Sequence, residues 1–336
     1  MGFFSEHYPK TYMFFTKSAI LIAPASRESK PMNTTTLALA SCGHQLDMAP
    51  ESFGELTPSG DLLDNVPALR EQLERDGYLY IPGFFERDEI LEARASLTDR
   101  LAAEGLLNPA YPSIQARWNP ERRTEFKPEL ANDNPALDRV VFGSQLDGFY
   151  EALFGEKVLH FDFKWIRAVG PGKGTNPHCD IVYMCRGTHE LLTCWIPYGD
   201  VSLELGGLMV LENSHQQSER LRNYLSTDVE SYCENRPEQV KRVKEDNYWS
   251  HPGWLSTNPA SLRAKLGGRW LTAAFRAGDF LTFKMNMVHA SLDNQTDCIR
   301  LSSDTRYQPA SLPVDERWVG ANPTGNTRAG KKGRIC

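Results

Sequence analysis

"GDFLTFKMNMVHASLDNQTDCIRLSSDTRYQP", residues 278–309, decides how the chain is read. It holds two runs rich in β-branched and aromatic residues, "DFLTFKM" and "CIRLSSDTRY", with a polar turn between them. Such runs read as strands. His289 stands between them, and Arg300 opens the second. Working back to residue 158, the texture repeats in "VLHFDFKWIRAVGPG", "DIVYM", "LLTCWIPYG" and "GGLMVLENSH". Many short strands broken by Gly, Pro or Asn argue for a sandwich or barrel rather than a doubly wound sheet.

The N-terminal half differs. Val66, Leu69 and Leu73 suit one helix face before "GYLYIPGF" turns to strand. "RDEILEARASLTDRLAAEG" at 87–105 is the clearest helix, with Gly105 at its C-terminal end. "PALDRVVFGSQLDGFYEALFG" at 135–155 returns to helix. The expected fold is therefore mostly β with flanking helices. Residues 1–55 lack periodicity and are expected to be a partly disordered leader, with Met32 a candidate start. Residues 56–320 read as one domain, with a helical part over 65–155 and a polar insertion at 215–262 carrying a helix near 218–230. Residues 321–336 read as a polar tail. The Pro-, Asn- and Arg-containing loop 106–136 and the insertion are candidates for lid and substrate wall.

The chain has 336 residues, 40% hydrophobic and 24% charged, enough for a sizeable core. Its net charge of -6 gives no general attraction to nucleic acid or anionic membrane. The apolar run "SAILIAPAS" is too short to span a bilayer. Seven cysteines, an odd number without a CxxC pair, argue against a disulfide framework or structural zinc. A reducing cytoplasm fits that usage. The sequence leaves the oligomeric state open.

"NPHCDIVY" at 176–183 places His178 and Asp180 two residues apart in a strand-like run, hence on one face. An imidazole and a carboxylate side by side supply two ligands to a divalent metal, and His289 is the best candidate for a third. Two histidines and one carboxylate leave three octahedral positions open, the arrangement of Fe(II) oxygenases. HxD alone is a weak signal. Arg300, eleven residues after His289, strengthens it. A buried guanidinium needs a carboxylate, from Asp304 or from a bound dicarboxylate.

These segments, with "RDGYLYIPGFF" at 75–85, "GPGKGTNPHCDIVYM" at 170–184 and "CWIPYGDVSLELGGLMVLENSH" at 194–215, resemble the phytanoyl-CoA dioxygenase family of Fe(II)/2-oxoglutarate oxygenases. The resemblance implies a double-stranded β-helix (jelly roll, cupin-like) and the cofactors Fe(II), 2-oxoglutarate as co-substrate and O2. It implies hydroxylation of a small organic molecule, as in secondary metabolism, with release of succinate. His178, Asp180 and His289 would be the catalytic metal ligands. Arg300 and Ser291 would hold the far carboxylate of 2-oxoglutarate, and Trp195 would stand at the pocket wall. Lys164, Thr175 and Tyr183 are further candidates for cofactor contact. Lys164 has an ambiguous facing, Thr175 could instead bond a backbone group, and Tyr183 could be a core tyrosine. Arg306 reads either as a pocket residue beside Arg300 or as solvated. Relatives that halogenate carry a small residue where this chain has Asp180, so oxidation without halogenation is implied. Desaturation, cyclisation or epimerisation by the same site remain alternatives, as does a cupin-type metalloenzyme independent of 2-oxoglutarate. "ENSH" at 212–215 departs from the family's frequent Pro-Gly-Ser-His, and Cys179 from a frequent glutamine.

Overall fold

A computed structural model describes residues 38–123, 126–246 and 249–336. The expected leader thus lies largely outside the described residues, Met32 included. In chain order, β1 (Ala40–Ser41), β2 (His44–Gln45) and β3 (Phe53–Glu55) precede helix α1 (Val66–Asp76) and β4 (Tyr78–Ile81). Helices α2 (Arg87–Ala103), α3 (Pro135–Val141) and α4 (Ser144–Phe154) follow. Then come β5 (Val158–His160), β6 (Trp165–Val169), β7 (Leu192–Pro197) and β8 (Leu208–Leu211). The insertion holds α5 (Arg222–Leu225), β9 (Ser231–Cys233), α6 (Pro237–Asp246) and α7 (Pro259–Leu266). The chain closes with β10 (Trp270–Thr272), β11 (Phe280–Lys284), β12 (His289–Ser291), β13 (Arg300–Pro309) and β14 (Lys332–Arg334).

Two sheets carry the fold. One has six strands in the order β4-β11-β7-β13-β5, with β6 also paired to β13; the other has four, β12-β8-β10-β3. All pairings in them are antiparallel except β10 with β3. Strand alternation explains why β7 is buried throughout. Leu192, Cys194 and Ile196 turn outward onto a core shared with Leu69 and Leu73 of α1, Leu97 of α2 and Leu146 of α4. Trp195 turns inward and meets Leu281, Phe283, Leu208, Val210 and Leu271 in a second core between the sheets. Each such fully buried aliphatic side chain contributes about 1.5–3 kcal/mol. β13 obeys the same rule. Leu301 and Tyr307 join the helix-side core, while Arg300, Ser302, Asp304 and Arg306 share the opposite face.

The long helix expected at 135–155 is broken at Phe142–Gly143 into α3 and α4. α1 ends at Gly77, whose φ of +77° admits the left-handed turn into β4.

Four expectations are corrected. Residues 40–55 are built into the domain: the Ser41 hydroxyl donates to the Ser291 carbonyl at 2.7 Å, and β3 pairs with β10. The helix expected near 218–230 is the single turn α5, and the longer helix is α6. The polar tail is structured, with β14 parallel to β9. A single disulfide joins Cys233 to Cys336, where the odd cysteine count argued against a disulfide framework. Its partners lie 103 residues apart, so local spacing carried no sign of it. Among the described residues no helix is long and apolar enough to cross a membrane.

Candidate metal centre and substrate cavity

"NPHCDIVY" is not a regular strand. His178 forms a two-residue bridge with His289, each backbone amide donating to the other's carbonyl, at 3.0 and 2.9 Å. Cys179 is extended (φ -119°, ψ 139°), and Asp180 starts a 3-10 turn. One extended residue between the ligands preserves the alternation that the HxD spacing implied. Gly174 makes the close approach possible, because a Cβ there would run into the Ser291 carbonyl. Two distant pieces of chain are thereby clamped together at the ligand positions themselves.

Both imidazoles present the same edge. His178 Nδ1 lies 2.8 Å from the Asn176 carbonyl, and His289 Nδ1 lies 3.0 Å from the Met287 carbonyl. A carbonyl can only accept, so each Nδ1 carries the hydrogen and each Nε2 offers its lone pair. Each Nε2 stands 3.6 Å from Asp180 Oδ1. Cis ligands about 2.1 Å from one octahedral ion stand about 3 Å apart. Each imidazole therefore stands about half an ångström further from Asp180 Oδ1 than two ligands of one bound ion would. All three residues are buried, at 6, 3 and 5% exposure for His178, Asp180 and His289. They form a group able to hold a metal ion, their ligand atoms all within 4.8 Å of one another.

The second oxygen of Asp180 is held elsewhere. Oδ2 accepts from the Thr193 hydroxyl at 2.5 Å and from Arg306 Nη2 at 2.7 Å. Burial would push this carboxyl up, yet Arg306, the two imidazoles and Thr193 hold it well below the usual carboxylate range. Burial, then the neighbouring imidazole, pushes His178 down to about 3; burial also lowers His289. Neutral histidines and an ionised aspartate are the protonation states that bind metal.

Arg306 is 2% exposed, stacks over Trp165 at 4.4 Å and leaves Nε and Nη1 without partners. Of its two sequence readings, the inward one holds. Arg300 is equally buried. Its Nη1 donates to Ser302 Oγ at 2.8 Å, and among the described residues its Nε has no partner and it forms no ion pair with a carboxylate. Asp304, the protein acid considered for it, is taken by Arg167 Nε at 2.8 Å. Burial, then repulsion by Arg167, lowers the Arg300 guanidinium to about 10. A buried cation short of an anion fits a bound dicarboxylate.

A cavity of about 470 Å³ opens beside the triad. Its lining includes His178, Asp180, Thr175, Tyr183, Arg167, Lys173 and Arg306, with Phe126, Trp165, Trp249, Trp254 and Trp318 as aromatic walls. Loop 106–136 supplies Phe126 and the insertion supplies Trp249 and Trp254, the last bridged to His178. The tail contributes Asn326. Thr175 donates its amide to Ser291 Oγ at 2.8 Å, and the Tyr183 hydroxyl donates to the Pro252 carbonyl at 3.2 Å. Ser291 is buried behind this wall. Two expected contacts are corrected. Lys164, just before β6, turns away to pair with Asp138 of α3 and lies over the Phe142 ring. Trp195 lies in the core between the sheets, 4.7 Å from Phe275, and does not line the cavity. Sequence reasoning missed Thr193. Its place opposite Arg306 in the β7–β13 register is a tertiary fact without a local signal.

The phytanoyl-CoA dioxygenase (PhyH) family model matches residues 73–302. The chain belongs to the phytanoyl-CoA dioxygenase family. It is an Fe(II)- and 2-oxoglutarate-dependent oxidoreductase that uses O2 and acts on a small organic substrate. Among curated proteins it is similar to 1-deoxypentalenic acid 11-beta-hydroxylase of Streptomyces arenae, 24% identical over 274 residues (78% of this chain, 87% of that one). The enzyme of the same description from Streptomyces exfoliatus is 25% identical over 267 residues, 74% and 83% of the two chains. Among solved structures it resembles the non-heme alpha ketoglutarate dependent carbocyclase SnoK from nogalamycin biosynthesis. The TM-score there is 0.54 at 18% identity, over 77% of this chain and 90% of that one, a likeness of fold.

Proposed function

We propose that this enzyme hydroxylates a small, largely apolar organic molecule, with His178, Asp180 and His289 holding the iron. The two sheets are then the halves of a double-stranded β-helix, and the catalytic domain runs from about residue 38 to the C-terminal tail. The observation that carries the reading is the triad itself: two imidazoles with fixed tautomers and one carboxylate oxygen converge beside an aromatic-walled cavity. The relatives named as hydroxylases agree with it. Five free cysteines fit the cytoplasmic setting, whereas the Cys233–Cys336 bond asks for an oxidising one.

When bound, iron and 2-oxoglutarate would let O2 oxidise a substrate C–H bond, one oxygen atom going to the substrate and the other to succinate, with carbon dioxide released. The protein's part is placement. Asp180 presents Oδ1 to the metal while Thr193 and Arg306 retain Oδ2, so a single carboxylate oxygen is free to coordinate. A metal held by these two imidazoles and one carboxylate oxygen would keep room for the co-substrate and for oxygen. Arg300 takes the far carboxylate of 2-oxoglutarate, with Ser291 as a second donor. Trp165, Trp249 and Trp318 exclude water and orient the substrate. The test is oxygen-dependent succinate formation from 2-oxoglutarate with Fe(II). Activity above background that vanishes in Asp180→Ala supports the reading. Equal activity in that variant, or none in the wild type with any candidate substrate, refutes it.

A further inference from the structure

The charges on the cavity wall do not cancel, and the imbalance points to the substrate. Asp180 is matched by Arg306, and Asp304 by Arg167. Lys173, on the glycine-flanked loop of the same wall, forms no ion pair among the described residues. Asp293 beneath that loop cannot serve it well, because its oxygens accept the amides of Gly43 at 2.9 Å and Gly174 at 2.7 Å. The wall thus carries one unmatched cation. Beyond it, Arg306 leaves two buried donors unpaired, and Arg167 uses only Nε on Asp304. Fe(II) and 2-oxoglutarate would bring opposite charges of equal size, and Arg300, outside the cavity lining, adds a further cation, so neither supplies an anion for Lys173. Unpaired buried donors beside an unmatched cation favour an anionic guest.

The rest of the lining fixes the guest's body. Trp165, Trp249, Trp254 and Trp318 line the cavity, and Phe126 and Trp254 are 38 and 43% exposed. Such walls favour rings and apolar frameworks. A volume of about 470 Å³ must also admit the co-substrate. A coenzyme A thioester would leave its nucleotide outside, with Lys173 and the partly exposed Arg167, already paired with Asp304, as the lining cations near solvent among the described residues.

We propose that the substrate is a compact, ring-bearing apolar acid, its carboxylate received by the cationic wall at Lys173 and its framework held among the tryptophans. The proposal rests on the iron and 2-oxoglutarate reading above. It assigns Lys173 a specificity role outside the metal machinery.

The test uses full-length protein loaded anaerobically with Fe(II) and saturating 2-oxoglutarate. The probes are cyclohexanecarboxylic acid and 1-adamantanecarboxylic acid, each beside its methyl ester. Binding is read by tryptophan fluorescence and by the shift of the Fe(II)–2-oxoglutarate charge-transfer band. The expected result is that at least one acid binds about tenfold tighter than its ester. Lys173→Met should reduce that advantage at least about threefold and leave ester binding unchanged, and added salt should do the same. Equal binding of acid and ester, no binding of either pair, or loss of the band through displacement of 2-oxoglutarate would each overturn the proposal. Absence of the band before any probe is added would instead overturn the iron reading, so the two failures are distinguishable.

Discussion

Replacing Thr193 by valine tests how the metal carboxylate is positioned. Thr193 is 1% exposed, and its hydroxyl donates to Asp180 Oδ2 at 2.5 Å. Valine keeps the shape and removes the donor. A hydrogen bond to a charged acceptor contributes about 1.5–3 kcal/mol. Independently, removing a group that orients a metal ligand costs roughly 10–100-fold in metal affinity. The two scales agree, since tenfold corresponds to about 1.4 kcal/mol. The expected outcome is an Fe(II) affinity weakened about 10–100-fold in Thr193→Val, with most of it restored in Thr193→Ser. Anaerobic calorimetric titration with Fe(II), repeated with Mn(II), measures it directly. Thermal unfolding of the metal-free proteins checks that the variants fold. Wild-type affinity in Thr193→Val, or equal losses in the valine and serine variants, would refute the reasoning.

Other outcomes follow from named contacts. Arg300→Gln should weaken 2-oxoglutarate binding by roughly tenfold or more while leaving Fe(II) affinity unchanged, as read from the anaerobic charge-transfer band. Lys164→Met should leave 2-oxoglutarate binding at the wild-type level, since its ammonium is spent on Asp138; a large loss would restore the sequence-based role. Gly174→Ala should destabilise the fold by about 1–3 kcal/mol, because the added methyl meets the Ser291 backbone, and calorimetry would show it. Reducing the Cys233–Cys336 bond, which closes a loop of about a hundred residues, should lower stability by about 2–4 kcal/mol. The double serine variant should unfold at the same temperature with and without reductant.

The metal ligands were legible because their signal is local or nearly so. One extended residue between His178 and Asp180 is enough to keep both on one side, even though the segment is a bridge and a turn. That the Arg300 side chain is buried was legible from its place in a strand-like run. The helices α1 and α2 announced themselves by their apolar period, and α2 also by Gly105 at its end. What escaped depends on register. Trp195 and Thr193 are neighbours on one strand, and alternation fixes only that they differ in depth from Cys194. Thr193 lies opposite Arg306 and reaches Asp180, whereas Trp195 lies opposite Asp304 and packs on Phe275. Residues 40–55 escaped because strands of two or three residues carry no period, and they are held by contacts such as Ser41 with Ser291. Lys164 was ambiguous in sequence and was decided by Asp138 on the helix layer.

The most direct measurement is an anaerobic crystal structure of the protein with Fe(II) and 2-oxoglutarate. The account predicts one iron bound by His178 Nε2, His289 Nε2 and Asp180 Oδ1, with the far carboxylate of 2-oxoglutarate on Arg300. Iron held by any other residues, or that carboxylate lying on Arg306 or Arg167 with Arg300 still facing Ser302, would contradict it.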